Sequence, residues 1–470
     1  MYNFSRVSII KNKSKAMSKK SIEDILSDME NGDKKPSEPA KTAVKFKKKK
    51  KKHWKRRIIL SLLVLFLITG GVLGYKAYTL AQKVFQGGGV PGLLGFFSQG
   101  QLKGEADGRV NILLMGDGGA GHDGPLLTDT MMVLSINTRT NEVAMLSVPR
   151  DLYVKIGDYG EGKINSANAL GEQYQYQGGG AALAEATVSK VLGIPIQYYV
   201  LADFSGFKKI IDTVGGVDVN VQKDLYDPYY PDGTYSISKG MHHMNGDEAL
   251  KYARSRETTS DFDRARRQQQ ILVATRDKVM SASTLLNPAK MNDILNALGD
   301  HIRTDMQISE AIRAFDLVKK VDQGKMINLV LDDSPDNVLR SSNIGGAYVL
   351  LPKAGFYDYS DIQNIAKNIF TIGPLKTEAA KIEVLNASGA TGEAKKVADN
   401  MSGLGFTIGN IGNADSLAST TVIYDHTSGA KPNTVKYLED KLCVKSSQQP
   451  ADGSGYDFTI IVGKDQLNKN

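Results

Sequence analysis

The sequence predicts an α/β protein: a large body at residues 109–373 behind a single N-terminal membrane helix, and a small C-terminal α/β domain at 379–470. Three observations carry that prediction. An uncharged run of eighteen residues follows a lysine-rich arm. Short apolar runs alternate with helical periodicity through the body. A length of 470 residues exceeds the usual size of one domain.

The arm comes first. Residues 1–57 hold 19 Lys/Arg against 6 Asp/Glu, a net of +13 within a chain whose total is +8. The remainder is therefore mildly acidic, and the basicity belongs to one segment. Residues 1–57 read as a disordered basic cytoplasmic tail. The run IILSLLVLFLITGGVLGY at 58–75 is long enough for a bilayer core at about 1.5 Å per residue. The transmembrane helix is assigned to 58–78. Eleven Lys/Arg between Lys41 and Arg57 hold the N-terminus in the cytoplasm and send the rest outside. A cleavable signal peptide would need a 57-residue leader and a small-residue cleavage site that does not follow. The same lysines could bind nucleic acid, but Phe46 and Trp54 are their only aromatic companions. Attraction to anionic membrane lipids is the simpler account, with no nucleic-acid partner expected.

Residues 79–108 form a Gly-rich stalk (QGGGVPGLLGFFSQGQLKGEADG from 86). The first strand of the body, 110–115, ends at Gly116-Asp117, and a loop GDGGAGHDGP follows. That loop is neither a P-loop nor a GxGxxG fingerprint. Strands at 130–136 and 142–148 come next, the one preceded by Asp129 and the other followed by Pro149-Arg150-Asp151. Asp117 and Asp129 can meet at one point across the loop. Either could cap a turn; as a pair of hard oxygen ligands without His or Cys they suit Mg²⁺ shared with substrate phosphates.

The segment ALKYARSR at 249–256 delivers Arg254 and Arg256 from a strand or helix end. A polar loop leads into a helix opening near Asp261, on which Arg264, Arg267, Gln268 and Ile271 share one face. A burying face ordinarily carries Leu or Val. Guanidiniums near a helix N-terminus make a site for a doubly phosphorylated group. A solvated basic surface is the alternative for Arg254, Arg256, Arg264, Arg266, Arg267 and Arg276. Asp263 and Arg266 are expected to point outward. The single Cys443 and six scattered histidines form no nucleophilic triad. In the C-terminal unit, strands at 382–385, 421–424 and 458–462 alternate with helices at 393–404 and 433–442. Partner or wall binding and an inert spacer both fit that unit.

With these residues in place, the body resembles the LytR–CpsA–Psr family of cell-wall glycopolymer transferases. The matching segments are LLTDTMMVLSIN, MLSVPRDLYV, KINSANALG, VLADFSGFKKIIDTVGGVDVNV, HHMNGDEALKYARSR and SDFDRARRQQQIL, in the family's order. The last unit resembles the LytR-type C-terminal domain through KIEVLNASGATGEAKKVADNMSGLGFTI and DFTIIVGKD. The resemblance implies a mixed sheet sandwiched by helices, with a hydrophobic tunnel for a polyprenyl chain and its pyrophosphate at the mouth. It implies Asp117 and Asp129 on Mg²⁺, and Arg150, Arg256 and Arg264 on the pyrophosphate. Arg254, Arg267 and Gln268 match as supporting contacts, with Lys163 and Asn165 at the rim. Two departures stand out: Asp263, where the family often has Gly, and the unplaced His122 and Asp123.

The function implied is a membrane-anchored phosphotransferase with an extracytoplasmic catalytic domain. It would move a glycopolymer from a polyprenyl-pyrophosphate carrier to a peptidoglycan hydroxyl, with release of polyprenyl phosphate. Asp151 and Asp261 are the two candidates to receive the hydroxyl proton. A non-catalytic binder of polyprenyl pyrophosphate or glycan has no need of a metal facing an arginine cluster. A transcriptional regulator would have its folded body across the membrane from DNA.

Overall fold

The computed structural model describes residues 100–231, 233–256, 259–281, 301–321, 326–334, 337–401, 404–450 and 453–467. The expected tail, the membrane helix and residues 79–99 of the stalk lie outside the described residues. Among the described residues no helix is long and apolar enough to cross a membrane.

The body is organised by six strands: β1 (Arg109–Asp117), β2 (Thr130–Asn137), β3 (Glu142–Ser147), β4 (Tyr198–Asp203), β5 (Ile302–Thr304) and β6 (Met326–Val330). Their order in the sheet is β5–β4–β1–β2–β3–β6. β1 runs parallel to β4 and antiparallel to β2; β3 is antiparallel to β2 and parallel to β6. The sheet is mixed. Its central strands are nearly continuous apolar runs because both faces are covered. Leu113, Met115, Val133 and Leu146 point into one core, whereas Val110, Ile112, Ile136 and Val143 point into another. That is the period-two alternation of a strand read on both sides at once.

The helices of the body are α1 (Ala167–Gln173), α2 (Gly179–Leu192), α3 (Phe204–Val214), α4 (Gly246–Arg254), α5 (Asp261–Val279), α6 (Ile308–Lys319), α7 (Ser360–Lys367) and α8 (Ile369–Glu378). α2, α7 and α8 supply buried residues to the first core, and α6 supplies Ala314 and Leu317 to the second. α3, α4 and α5 share a third core that includes Ile211, Val214, Ala249, Tyr252 and Ile271. The segment at 249–256, open between strand and helix on sequence grounds, is the end of α4. A capping box between Asn245 and Glu248 starts that helix.

α5 opens where its sequence places it. The Ser260 side chain accepts from the Asp263 N–H, and the Asp263 carboxylate accepts from the Ser260 N–H. Asp263, one of the two departures from the family pattern, therefore completes a capping box.

The C-terminal unit is a five-stranded sheet of β7 (Lys381–Asn386), β8 (Thr407–Asn413), β9 (Val422–Asp425), β10 (Ser446–Gln448) and β11 (Phe458–Val462), with α9 (Glu393–Met401) and α10 (Pro432–Leu442). The strand order is β8–β7–β11–β9–β10. α8 joins the two units: Ile369 and Ile372 lie in the first core of the body, and Leu375 lies in the core of the C-terminal unit. At the end of α8, the Glu378 carboxylate accepts from the backbone N–H groups of Asn433 (2.9 Å) and Thr434 (2.7 Å), capping α10.

Glu185 on α2 carries a pH dependence. Burial, then the charge of Asp305, push its carboxyl up to about 7 against the pull of Lys103. Its folded pKa lies above the ordinary 4.5. The stability linked to this group is therefore fully present below pH 4.5 and is lost as pH rises through 7. Glu185→Gln should melt with the wild type at pH 4.5 and above it at pH 8. The gain is about 1 kcal/mol after allowance for screening at this part-open site. Thermal melts at both pH values check it; equal melting at pH 8 would remove Glu185 from the account.

Candidate active site

The site begins at one end of the sheet. Gly116 and Thr130 are the last registered pair of β1 and β2, so Asp117 and Asp129 stand next to each other beyond it. On the other side of β1, Asp117 is in register with Asp203 of β4. Three neighbouring strand ends thus each present a carboxylate, with strands about 4.8 Å apart. Asp117 is 4% exposed. Burial raises its carboxyl to about 6, with Arg303 opposing and Asp203 adding to the rise. Asp203 is already engaged: it accepts from the Gly206 N–H at 2.7 Å to cap α3 and pairs with His301 Nδ1 at 2.8 Å. The loop after β1 turns tightly over this end. Gly119 has φ +72°, and a Cβ there would lie 2.9 Å from the Asp203 Cβ.

Arg150 is the centre of the second cluster. Its Nη1 donates to Asp129 Oδ1 at 2.9 Å. Its Nε lies 3.4 Å from carboxylate oxygens of both Asp151 and Asp261. That Nε is buried and hydrogen-bonds to neither, so among the described residues one N–H of the fork lacks an aligned acceptor. Burial lowers the guanidinium pKa, and Asp129, Asp261 and Asp151 more than offset this, leaving it raised. Lys163 Nζ donates to Asp151 Oδ1 at 2.5 Å, and Asn165 Nδ2 reaches Asp129 Oδ1 at 3.5 Å. Arg264, 8% exposed, donates to Asp261 Oδ2 at 2.9 Å and to the Asp129 carbonyl at 3.4 Å. Burial holds Arg264 below its ordinary pKa; Asp261 opposes this, and the like charges of Arg150 and Arg256 add to it.

Two spaces meet these groups. Arg150, Asp151, Arg256 and Asp261 line an open cleft of about 610 Å³, with Asp332, Ser334 and Tyr348 on its far side. An apolar cavity of about 240 Å³ lies between the sheet and α3, α4 and α5, walled by Leu114, Met132, Val200, Phe207, Leu250 and Ile271. Arg254 and Gln268 are the charged and amide groups brought to its wall from α4 and α5. The Arg254 guanidinium sits 4.4 Å from the Phe204 ring centroid and 5.8 Å from that of Tyr230. His122, unplaced by the sequence, meets Phe204 edge-on at 5.2 Å. Asp123 is exposed, and no role follows for it from its position.

Three of the arginines depart from the single cluster expected. Arg267 is 7% exposed and donates to the carbonyls of Tyr252 (2.9 Å) and Ser255 and to the Thr259 hydroxyl (3.2 Å). It fastens the end of α4 and the loop after it, and so positions Arg254 and Arg256 instead of facing the cleft. Arg276 donates to the carbonyls of Val318, in the last turn of α6, and Val321, just after it, away from the cleft. It lies three turns further along α5 than Arg264, about 18 Å away along the helix axis. Arg266 is the exposed residue expected, yet it bridges Asp263 (3.2 Å) and the buried Asp332 (3.0 Å). Asp203, Arg303 and Asp332 escaped the sequence reading. The first had a signal, an apolar strand ending in Asp as at Asp117.

Among the described residues no three His, Cys, Asp or Glu side chains converge on a metal position. Asp117 and Asp129 nevertheless fit Mg²⁺ by donor chemistry. Both are hard oxygen donors on adjacent strand ends, and Asp117 is buried, with the charge of Arg303 and the Gly119 N–H acting on its carboxylate. Asp129 Oδ2 makes no bond among the described residues, since Arg150 and Asn165 both use Oδ1. An ion that keeps several waters and shares phosphate oxygens needs only one or two protein carboxylates.

Fold and site together define a class: a mixed α/β sheet with a carboxylate–guanidinium cleft beside an apolar cavity. Residues 93–355 match the LytR_cpsA_psr family, and residues 379–465 match the family described as LytR cell envelope-related transcriptional attenuator. The chain belongs to the LytR–CpsA–Psr family. It is 34% identical over 263 residues to the polyisoprenyl-teichoic acid–peptidoglycan teichoic acid transferase TagU of Bacillus mycoides, covering 55% of this chain and 80% of that one. It is 38% identical over 192 residues to the regulatory protein MsrR of Staphylococcus aureus, covering 40% of this chain and 55% of that one. The crystal structure of B. subtilis TagV, at 31% identity, covers 56% of this chain and 97% of that one with a TM-score of 0.45.

Proposed function

We propose that this chain is a membrane-anchored phosphotransferase that moves a glycopolymer from a polyprenyl-pyrophosphate carrier to a peptidoglycan hydroxyl, with Mg²⁺. The name of the TagU relative supports the general class of reaction. One observation carries the finer reading: the apolar cavity and the charged cleft share α5, with Gln268 on the cavity side and Asp261 on the cleft side. A long apolar tail with an anionic head has that shape and that polarity.

In this reading the acceptor oxygen attacks the sugar-linked phosphorus and forms the new P–O bond. The bond from that phosphorus to the bridging oxygen breaks, and polyprenyl phosphate leaves with the electron pair. Arg150, Arg256 and Arg264 hold the phosphate oxygens and meet the charge that develops on them. Arg254 and Gln268 guide the lipid-proximal end. Asp151 has both oxygens occupied, by Lys163 and by the approach of Arg150. Asp261 Oδ1 makes no bond among the described residues, so Asp261 receives the hydroxyl proton. Asp117 and Asp129 would hold Mg²⁺, which when bound supplies further neutralisation of phosphate charge. The same proposal places the N-terminus in the cytoplasm and the body outside, on the charge asymmetry around residues 58–75.

The test uses the full chain in detergent with a lipid-linked glycopolymer and peptidoglycan. Covalent transfer should require a divalent cation. Chelation should abolish it, and Asp117→Asn should lower it about 100-fold with little change in melting temperature. Transfer indifferent to chelator and to Asp117→Asn would overturn the metal assignment; no transfer by the wild type would overturn the function.

A further inference from the structure

A second cavity, about 410 Å³, lies between the body and the C-terminal unit. Nothing in the transfer reaction as described uses it. Its walls come from α5, from β6 and the loop after it, from the end of α8, and from Gly405 and Thr407 of the C-terminal unit. Arg266, Asp332 and Ser334 line both this cavity and the catalytic cleft, so the two spaces are separated only by that one set of side chains. The wall is well built. Asp332 is buried, accepts from Arg266 at 3.0 Å, and accepts from the Ser334 N–H at 3.1 Å and its hydroxyl at 2.5 Å.

The remaining lining has a particular chemistry. Among the described residues, the Asn328 amide and the Thr407 hydroxyl make no hydrogen bond within the chain, and both side chains are exposed. Each both donates and accepts, as the hydroxyl and acetamide groups of a polysaccharide do. Val330, part-exposed and backed by the buried Leu329 and Ile365, gives apolar ground on which the C–H face of a sugar ring can rest. Arg266 is paired with Asp332 and Asp263, and Lys376 of α8 brings a second cation to the wall. The volume lies within the range of sites that take small organic ligands.

We infer that this cavity is the acceptor subsite: it holds the glycan backbone of peptidoglycan, a polysaccharide rich in hydroxyl and acetamide groups, and feeds the acceptor hydroxyl past Arg266 and Asp332 into the cleft. The inference rests on the transferase reading and extends it to the substrate's other half. It also gives the C-terminal unit a task, since Thr407 closes one side of the subsite. The joint is firm enough for that task, because Glu378 at the end of α8 caps α10 of the C-terminal unit.

The experiment compares wild type, Asn328→Ala, Asn328→Gln and Thr407→Trp as full chains in detergent. The probe is a soluble, peptide-free oligosaccharide of the peptidoglycan backbone. Binding of that probe, binding of the lipid-linked donor, and the acceptor KM in transfer are measured on each. The Asn328→Ala and Thr407→Trp variants should lose about 10-fold in probe affinity and raise the acceptor KM comparably. Donor affinity should stay within about twofold, and Asn328→Gln should retain probe binding. Probe binding and acceptor KM unchanged in Asn328→Ala and Thr407→Trp, with wild-type transfer intact, would overturn the subsite and leave the transferase reading standing. A wild type that neither binds the probe nor transfers would overturn both. A wild type that binds the probe through Asn328 and Thr407 but transfers nothing would support the glycan site and overturn the catalytic reading alone.

Discussion

Arg150→Lys should lower glycopolymer transfer by about 100-fold or more while lowering donor affinity much less. Arg150 lies against three carboxylates, those of Asp129, Asp151 and Asp261, and still has a buried Nε without an aligned acceptor among the described residues. A planar fork can meet Asp129 through one nitrogen and a phosphate oxygen through another. An ammonium has no fixed second donor to offer, and its strongly hydrated charge is costlier to hold where the guanidinium is largely buried. The loss should fall mainly on turnover, because the contact tightens as charge builds on the transferred phosphoryl group. Transfer rate and donor binding measured side by side decide it. Equal losses in the two would reduce Arg150 to a binding residue, and full activity would remove it from the site.

The second large effect is on stability. Arg267→Ala removes the donor to the carbonyls of Tyr252 and Ser255 and to the Thr259 hydroxyl, in a place with little access for water. Each buried acceptor left unsatisfied costs about 1–3 kcal/mol. The variant should lose about 3–5 kcal/mol, as when one partner is removed from a buried polar network. Melting temperature should fall on the order of 10 °C. Donor binding should weaken along with it, since the freed end of α4 carries Arg254 and Arg256. A melting temperature within about 2 °C of wild type would show that the carbonyls find other donors.

The contrast between these two arginines shows where sequence reasoning reaches its limit. Arg267 lies in the basic run DRARRQQQ and Arg150 stands alone in VPRD, yet the family resemblance places both at the pyrophosphate, Arg267 as a supporting contact. What separates them is the identity of their acceptors. Backbone carbonyls carry no mark in a sequence, so the role of Arg267 was invisible there. Arg276 failed for a simpler reason, that nearness along a helix is not nearness in space. Elements with strong apolar signals were legible. The first three strands and the start of α5 fall within a residue or two of their expected bounds, because buried runs and a Ser-x-x-Asp cap are local signals. β8 went unread: TIGNIGN is an edge strand whose side chains are mostly exposed, so it has no buried face to impose alternation. Asp332 was missed because its importance comes from Arg266, sixty-six positions earlier, and only folding joins them.

The pairing of β6 with β3 has a consequence for how the chain is made. Met326 of β6 lies beside Val143 of β3, in parallel, so nearly two hundred residues must be synthesised between the two halves of one ladder. At about 5–20 residues per second that interval is roughly 10–40 s. Through it, β3 is an open edge whose Val143, Ala144, Met145 and Leu146 have no strand beside them on that side. Such an edge is a template for pairing with another chain, and parallel closure over long sequence separation is slow. The nascent body therefore has a window of aggregation risk that ends only when residues 326–330 dock. Slowing synthesis downstream of β3 should lengthen that window, and a holdase bound to the apolar stretch around 143–146 would shorten its effect.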